Sequence, residues 1–161
     1  MNFVSRCAVA FALTVALGRG AFPHTPDPVE IPFEYSRAFG LILIQVEVNG
    51  KLAVMVLDTG SNETIVTPAL ANAKQLSSAD TVVLAKGSGY SGAGVIATAF
   101  LSIGPSSPKN CQILVVDLSD LSKGLGQEVD GVLGMSALKG FEIVSVDFRR
   151  QKLVLKLGRQ P

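Results

Sequence analysis

Val54-Met55-Val56-Leu57-Asp58-Thr59-Gly60-Ser61 is the stretch whose reading decides the fold. Four apolar residues run into an acid, a small hydroxyl residue and a glycine. The run is too short for a helix and reads as a strand buried on both faces. Such a strand should not end in a carboxylate unless something holds the charge, because burying an ionised group without partners is costly. The next residues supply partners. Thr59 and Ser61 carry hydroxyls, and Gly60 lets the backbone turn sharply enough to aim N–H groups back at the acid. Two readings fit: an ordinary Asp-Gly-type turn after a strand, and a working carboxylate presented at a strand end.

The flanks extend the β reading. Residues 41–48 are β-branched and become alternating, and Asn49-Gly50 follows, the strongest short hairpin signal. Residues 51–57 are then the return strand, which delivers Asp58 at the far end of a hairpin. Thr64-Ile65-Val66 is a further short strand. Thr67-Pro68 offers an N-cap and a first-turn proline for a short helix over 69–76. Strands over 81–86 and 95–103 flank a glycine-dense tip, residues 87–94. That tip is either a simple flexible connection or a flap that closes over a ligand. It is not a phosphate loop, since no Lys-Ser/Thr pair follows it and no helix is opened. Residues 111–116 read as a strand and 117–128 as a polar, solvated loop. Asp130-Gly131-Val132-Leu133-Gly134 precedes a short helix over 136–139. There Asp130 reads as a turn residue rather than a chemical one. A hairpin over 141–148 and 152–157 closes the chain.

The bulk composition narrows the function classes. The 161 residues suffice for one domain with a real core, and 48% hydrophobic against 17% charged residues marks a globular chain rather than a disordered one. The net charge is +1 with Lys and Arg scattered, so no basic stripe points to nucleic acid. Sixteen Gly and eight Pro imply many turns and favour an all-β domain. The only histidine, His24, sits in a Pro-rich leader, which excludes a Ser-His-Asp or Cys-His mechanism and removes the usual zinc ligand sets. Cys7 lies in a segment expected to be removed, so Cys111 stands alone and a disulfide framework is excluded. Cys111, in an apolar strand context, reads as a small buried hydrophobe.

Residues 1–20 carry Arg6, an apolar run over 7–17 and then small residues, the layout of a secretory signal peptide; the alternative is an uncleaved interfacial anchor. Cleavage would leave the protein secreted or periplasmic, with no membrane association. Residues 21–32, with four prolines, are expected to be an extended arm or linker, and residues 33–161 the folded domain.

The succession of apolar strand, Asp58-Thr59-Gly60-Ser61, glycine-tipped hairpin, Asp130-Gly131-Val132-Leu133-Gly134 and short helix resembles the retropepsin-like aspartic proteases. Within them it is most similar to the bacterial single-domain group with one Asp-Thr-Gly per chain. The resemblance spans nearly all of the chain beyond the arm. It implies an all-β, closed-barrel acid-protease fold with one or two short helices and a flap. No second Asp-Thr/Ser-Gly occurs, so it also implies a homodimer in which the two Asp58 residues face each other across a two-fold axis. Asp58 would be the catalytic acid. Thr59 would bond across the dimer, Gly60 would offer its N–H to the carboxylate, and the Ser61 hydroxyl would steady Asp58. Val132, Leu133 and Gly134 would pack beneath the loop and line the substrate cleft. Gly87, Ser88, Gly89 and Tyr90 would belong to the flap. The implied substrate is a peptide or unfolded protein, with no metal and no cofactor. Two competing expectations are a peptide-binding module on the same fold that does not cut, and an unrelated monomeric β-barrel with Asp58 in a turn. The intact Asp-Thr-Gly argues against the first.

Overall fold

The computed structural model describes residues 27–73, 76–87 and 90–158. The chain opens with β1 (Val29–Ser36), then the hairpin of β2 (Leu41–Val48) and β3 (Lys51–Leu57). Asn49 and Gly50 between them both take positive φ, at 46° and 76°, as a tight two-residue turn requires. The turn is pinned from the side, because the Phe100 N–H donates to Asn49 Oδ1 at 2.8 Å. A two-residue strand β4 (Ile65–Val66) leads into α1 (Pro68–Ala73). There Thr67 caps the helix as the sequence suggests, its Oγ1 accepting from the Leu70 N–H at 3.3 Å.

The long hairpin of β5 (Ser77–Gly87) and β6 (Tyr90–Ile103) follows, then β7 (Lys109–Val115). Residues 117–128 are not only a polar loop: they contain α2 (Ser119–Leu125). Asp117 Oδ1 accepts from the Ser119 N–H at 2.9 Å, and Gly126 ends the helix in the left-handed conformation at φ 69°. Buried Leu118 with half-buried Leu121 and Leu125 forms a helical stripe among the charges, and that stripe is too short to dominate the local composition. The chain ends with β8 (Gly131–Leu133), α3 (Met135–Leu138), and the hairpin of β9 (Phe141–Asp147) and β10 (Lys152–Leu157).

Most of the described residues lie in strands and few in helices, so the fold is all-β with few helices. The ladders run β6–β7–β4–β8–β3–β2, and β2 pairs again with β6. These strands therefore wrap around the main core, where Ile44, Met55, Ile113, Leu133, Leu153 and Leu155 are almost wholly buried. A second cluster holds Leu43, Val56, Ile65 and Val132. Met55 and Leu57 thus face one cluster and Val56 the other, which is why this strand reads as an unbroken apolar run.

The Pro-rich arm ends sooner than expected. Val29–Pro32 pair with β10, and Phe33–Ser36 pair with β2, so the last four residues assigned to the arm are part of β1. Pro32 sits where the strand changes partners. A proline is tolerated at such a hand-over, where the strand lacks a neighbour on one side. The leader, residues 1–20, lies outside the described residues.

Candidate active site

Three short strands build the site. β8 lies between β3, to which it is parallel, and β4, to which it is antiparallel. The segment from β3 to β4, residues 58–64, therefore has to loop over the C-terminal end of β8. Glycine makes this close packing possible at two places. A Cβ on Gly131 would collide with the Ile65 carbonyl and the Met55 side chain, and one on Gly134 with the Glu63 carbonyl. Gly134 has ordinary extended angles, so the demand there is for space and not for an unusual conformation.

Asp58 is the first residue past β3. Its N–H donates to the Leu133 carbonyl at 3.0 Å, extending the β3–β8 ladder by one step. The chain then turns: the Ser61 N–H donates to the Asp58 carbonyl at 3.2 Å, and the Gly60 N–H donates to Asp58 Oδ1 at 2.9 Å. A side chain on Gly60 would crowd that carboxylate oxygen. Asp58 is half-buried, while Thr59 and Gly60 are exposed at the tip of the turn. The carboxylate is thus oriented by a backbone donor and remains open to solvent on one side. That arrangement suits an acid that must exchange protons with a bound molecule.

The other expected site residues fall as follows. The Ser61 hydroxyl does not reach Asp58; it donates to the Glu63 carbonyl at 2.8 Å, because the turn at Gly60 sends its side chain toward the second half of the loop. Val132 and Leu133 pack beneath the loop but are 2% and 0% exposed, so in this chain they offer a substrate no surface. Gly134 lies directly under the loop. Gly87 and Tyr90 pair with each other across the β5–β6 hairpin, while Ser88 and Gly89 lie outside the described residues. Asp130 makes a brace and not merely a turn. Its Oδ2 accepts from the Val54 N–H at 2.8 Å while its own N–H donates to the Val54 carbonyl at 2.8 Å, tying the start of β8 to β3.

Two residues that carry weight here escaped the sequence reading, Thr64 and Ser136. Thr64 is wholly buried, and its hydroxyl lies 2.9 Å from that of Ser136. The available signal was a hydroxyl residue placed between a turn and an apolar strand, which is common and nonspecific. Among the described residues, no group of three or more His, Cys, Asp or Glu gathers as a metal site.

The family model for aspartyl proteases matches residues 44–137, more than half of the chain and the whole of the site. The chain belongs to the aspartyl protease family. The crystal structure of a retropepsin-like aspartic protease from Rickettsia conorii is similar in fold, with a TM-score of 0.54 and 21% identity, covering 81% of this chain and 92% of that one. No curated protein matches the sequence. The fold and family are thus those expected from the Asp-Thr-Gly and the strands around it.

Proposed function

We propose that this chain is an aspartic endopeptidase that acts as a homodimer on peptides or unfolded proteins. The observation that carries the reading is Asp58 itself: a half-exposed carboxylate at a strand end, oriented by the Gly60 N–H, in a chain of the aspartyl protease family. One such acid per chain is half of the required pair. Two carboxylates brought close together cannot both ionise easily, so they share a proton and titrate as a unit. The ionised partner takes a proton from water, and the protonated partner polarises the scissile carbonyl. Thr59, exposed at the tip of the turn, is available to bond the partner loop. The β5–β6 hairpin is the candidate flap. The signal-like composition of residues 1–20 supports secretion or a periplasmic location.

The test is cleavage of a quenched unfolded-protein substrate across acid to neutral pH, at several protein concentrations, beside Asp58→Asn. The expected result is activity that rises more steeply than protein concentration and is absent from a variant with an unchanged circular dichroism spectrum. A variant that cuts at the wild-type rate would show that Asp58 is not the acid.

A further inference from the structure

The loop that presents Asp58 hangs from a pair of hydroxyls that the proposed chemistry does not use, that of buried Thr64 and that of half-exposed Ser136. Every polar atom of Thr64 is engaged. Its N–H donates to Ser136 Oγ at 3.0 Å, and its carbonyl accepts from the Leu114 N–H at 2.9 Å. Its Oγ1 accepts from the Gly134 N–H at 3.2 Å and lies 2.9 Å from Ser136 Oγ. Beside this pair, the Met135 N–H donates to the Ser61 carbonyl at 2.8 Å and the Ser136 N–H to the Asn62 carbonyl at 2.9 Å. Three consecutive N–H groups at the start of α3, those of Gly134, Met135 and Ser136, therefore all end on the loop. Such groups have no partner within their own helix, and here the loop satisfies them. The hydroxyl pair locks the two segments in register, since a buried hydroxyl must keep a partner.

We infer that Thr64 and Ser136 are positioning residues that set the direction of the Asp58 carboxylate; this rests on the reading of Asp58 as the catalytic acid. The near end of the loop is fixed where the Asp58 N–H meets the Leu133 carbonyl. Between its two ends the turn is closed by bonds within itself, from the Gly60 and Ser61 N–H groups to the Asp58 carboxylate and carbonyl. The far end is fixed at Ser61, Asn62 and Thr64 by the junction of β8 and α3. With the far end released, the turn pivots about the Leu133 bond and the carboxylate swings with it. Neither hydroxyl touches a reacting group; both act through the backbone of Ser61 and Asn62.

The experiment uses the full chain with Thr64→Val, which keeps the side-chain shape without the hydroxyl, and Thr64→Ser, which keeps the hydroxyl. Amide hydrogen exchange is read at Met135, Ser136 and, as a core control, Leu155. The expected result for Thr64→Val is exchange roughly tenfold faster at Met135 and Ser136 with Leu155 unchanged. Its kcat for peptide cleavage should fall roughly tenfold or more while KM stays within about twofold. Thr64→Ser should restore both. Should Thr64→Val fail to fold, Ser136→Ala, at a half-exposed position, takes its place with the same expectations. Unchanged exchange at Met135 and Ser136, or an undiminished kcat per folded molecule, overturns the inference. If the wild-type chain cuts nothing, the protease reading fails, and the exchange readout alone decides the positioning role.

Discussion

At the scale of single residues, glycine and hydroxyl positions decide whether Asp58 can be held where it is. Gly134 touches the backbone of the loop above it and leaves no room for a methyl group. Gly134→Ala should therefore destabilise the chain by about 1–3 kcal/mol or more through overpacking against a backbone that cannot yield; urea denaturation checks this, and an unchanged midpoint would show that the loop can rise. Asp58-Thr59-Gly60 was legible in the sequence because it follows a local rule, an acid and small donors after an apolar strand, whereas the place of Gly134 beneath the loop came only with the family resemblance. Thr64 and Ser136 were not legible. They meet across 72 residues of chain, and nothing near either one encodes the other. The Ser61 hydroxyl was misassigned for a related reason, since a residue's place in a motif does not say which way a turn sends its side chain.

At the scale of elements, the arrangement depends on β8 staying registered between β3 and β4. Asp130 secures this from the end opposite to Asp58, by exchanging hydrogen bonds with Val54. Asp130→Ala strips the Val54 N–H of its acceptor in a partly buried setting and should cost about 1–3 kcal/mol. Thermal unfolding measures it, and Asp130→Asn, which retains an acceptor oxygen, should recover much of the loss. The strands themselves were readable from periodicity, and the unbroken apolar runs correctly signalled burial on both faces. α2 was hidden because its apolar stripe is three leucines among charged and polar neighbours. The extent of β1 was hidden by Pro28 and Pro32, which argue against a strand unless that strand exchanges partners midway, as this one does.

At the scale of the molecule, one exposed carboxylate joins the start of the fold to its end. Glu30 on β1 accepts from Lys152 on β10 and, at 2.8 Å, from Arg150 in the preceding turn. The Lys152 hydrogen bond first, and that of Arg150 next, hold the Glu30 carboxyl below its ordinary range. The folded chain thus keeps a proton off where the unfolded chain would take one. The stabilisation is complete above the unfolded pKa and is lost as pH falls through the lowered folded value. Wild type and Glu30→Gln should differ modestly in melting temperature at about pH 6 and converge toward about pH 3; a gap that does not narrow in acid would remove the trio from any role in tying down β1. The central slot has another consequence, in time. Synthesis delivers β3, Asp58 and β4 long before β8, so the place between the two strands stands empty while most of the remaining chain is made. Until Leu133 arrives, the Asp58 amide lacks its carbonyl partner and the loop above has nothing beneath it. A nascent chain therefore carries its acid well before it carries the frame that aims it.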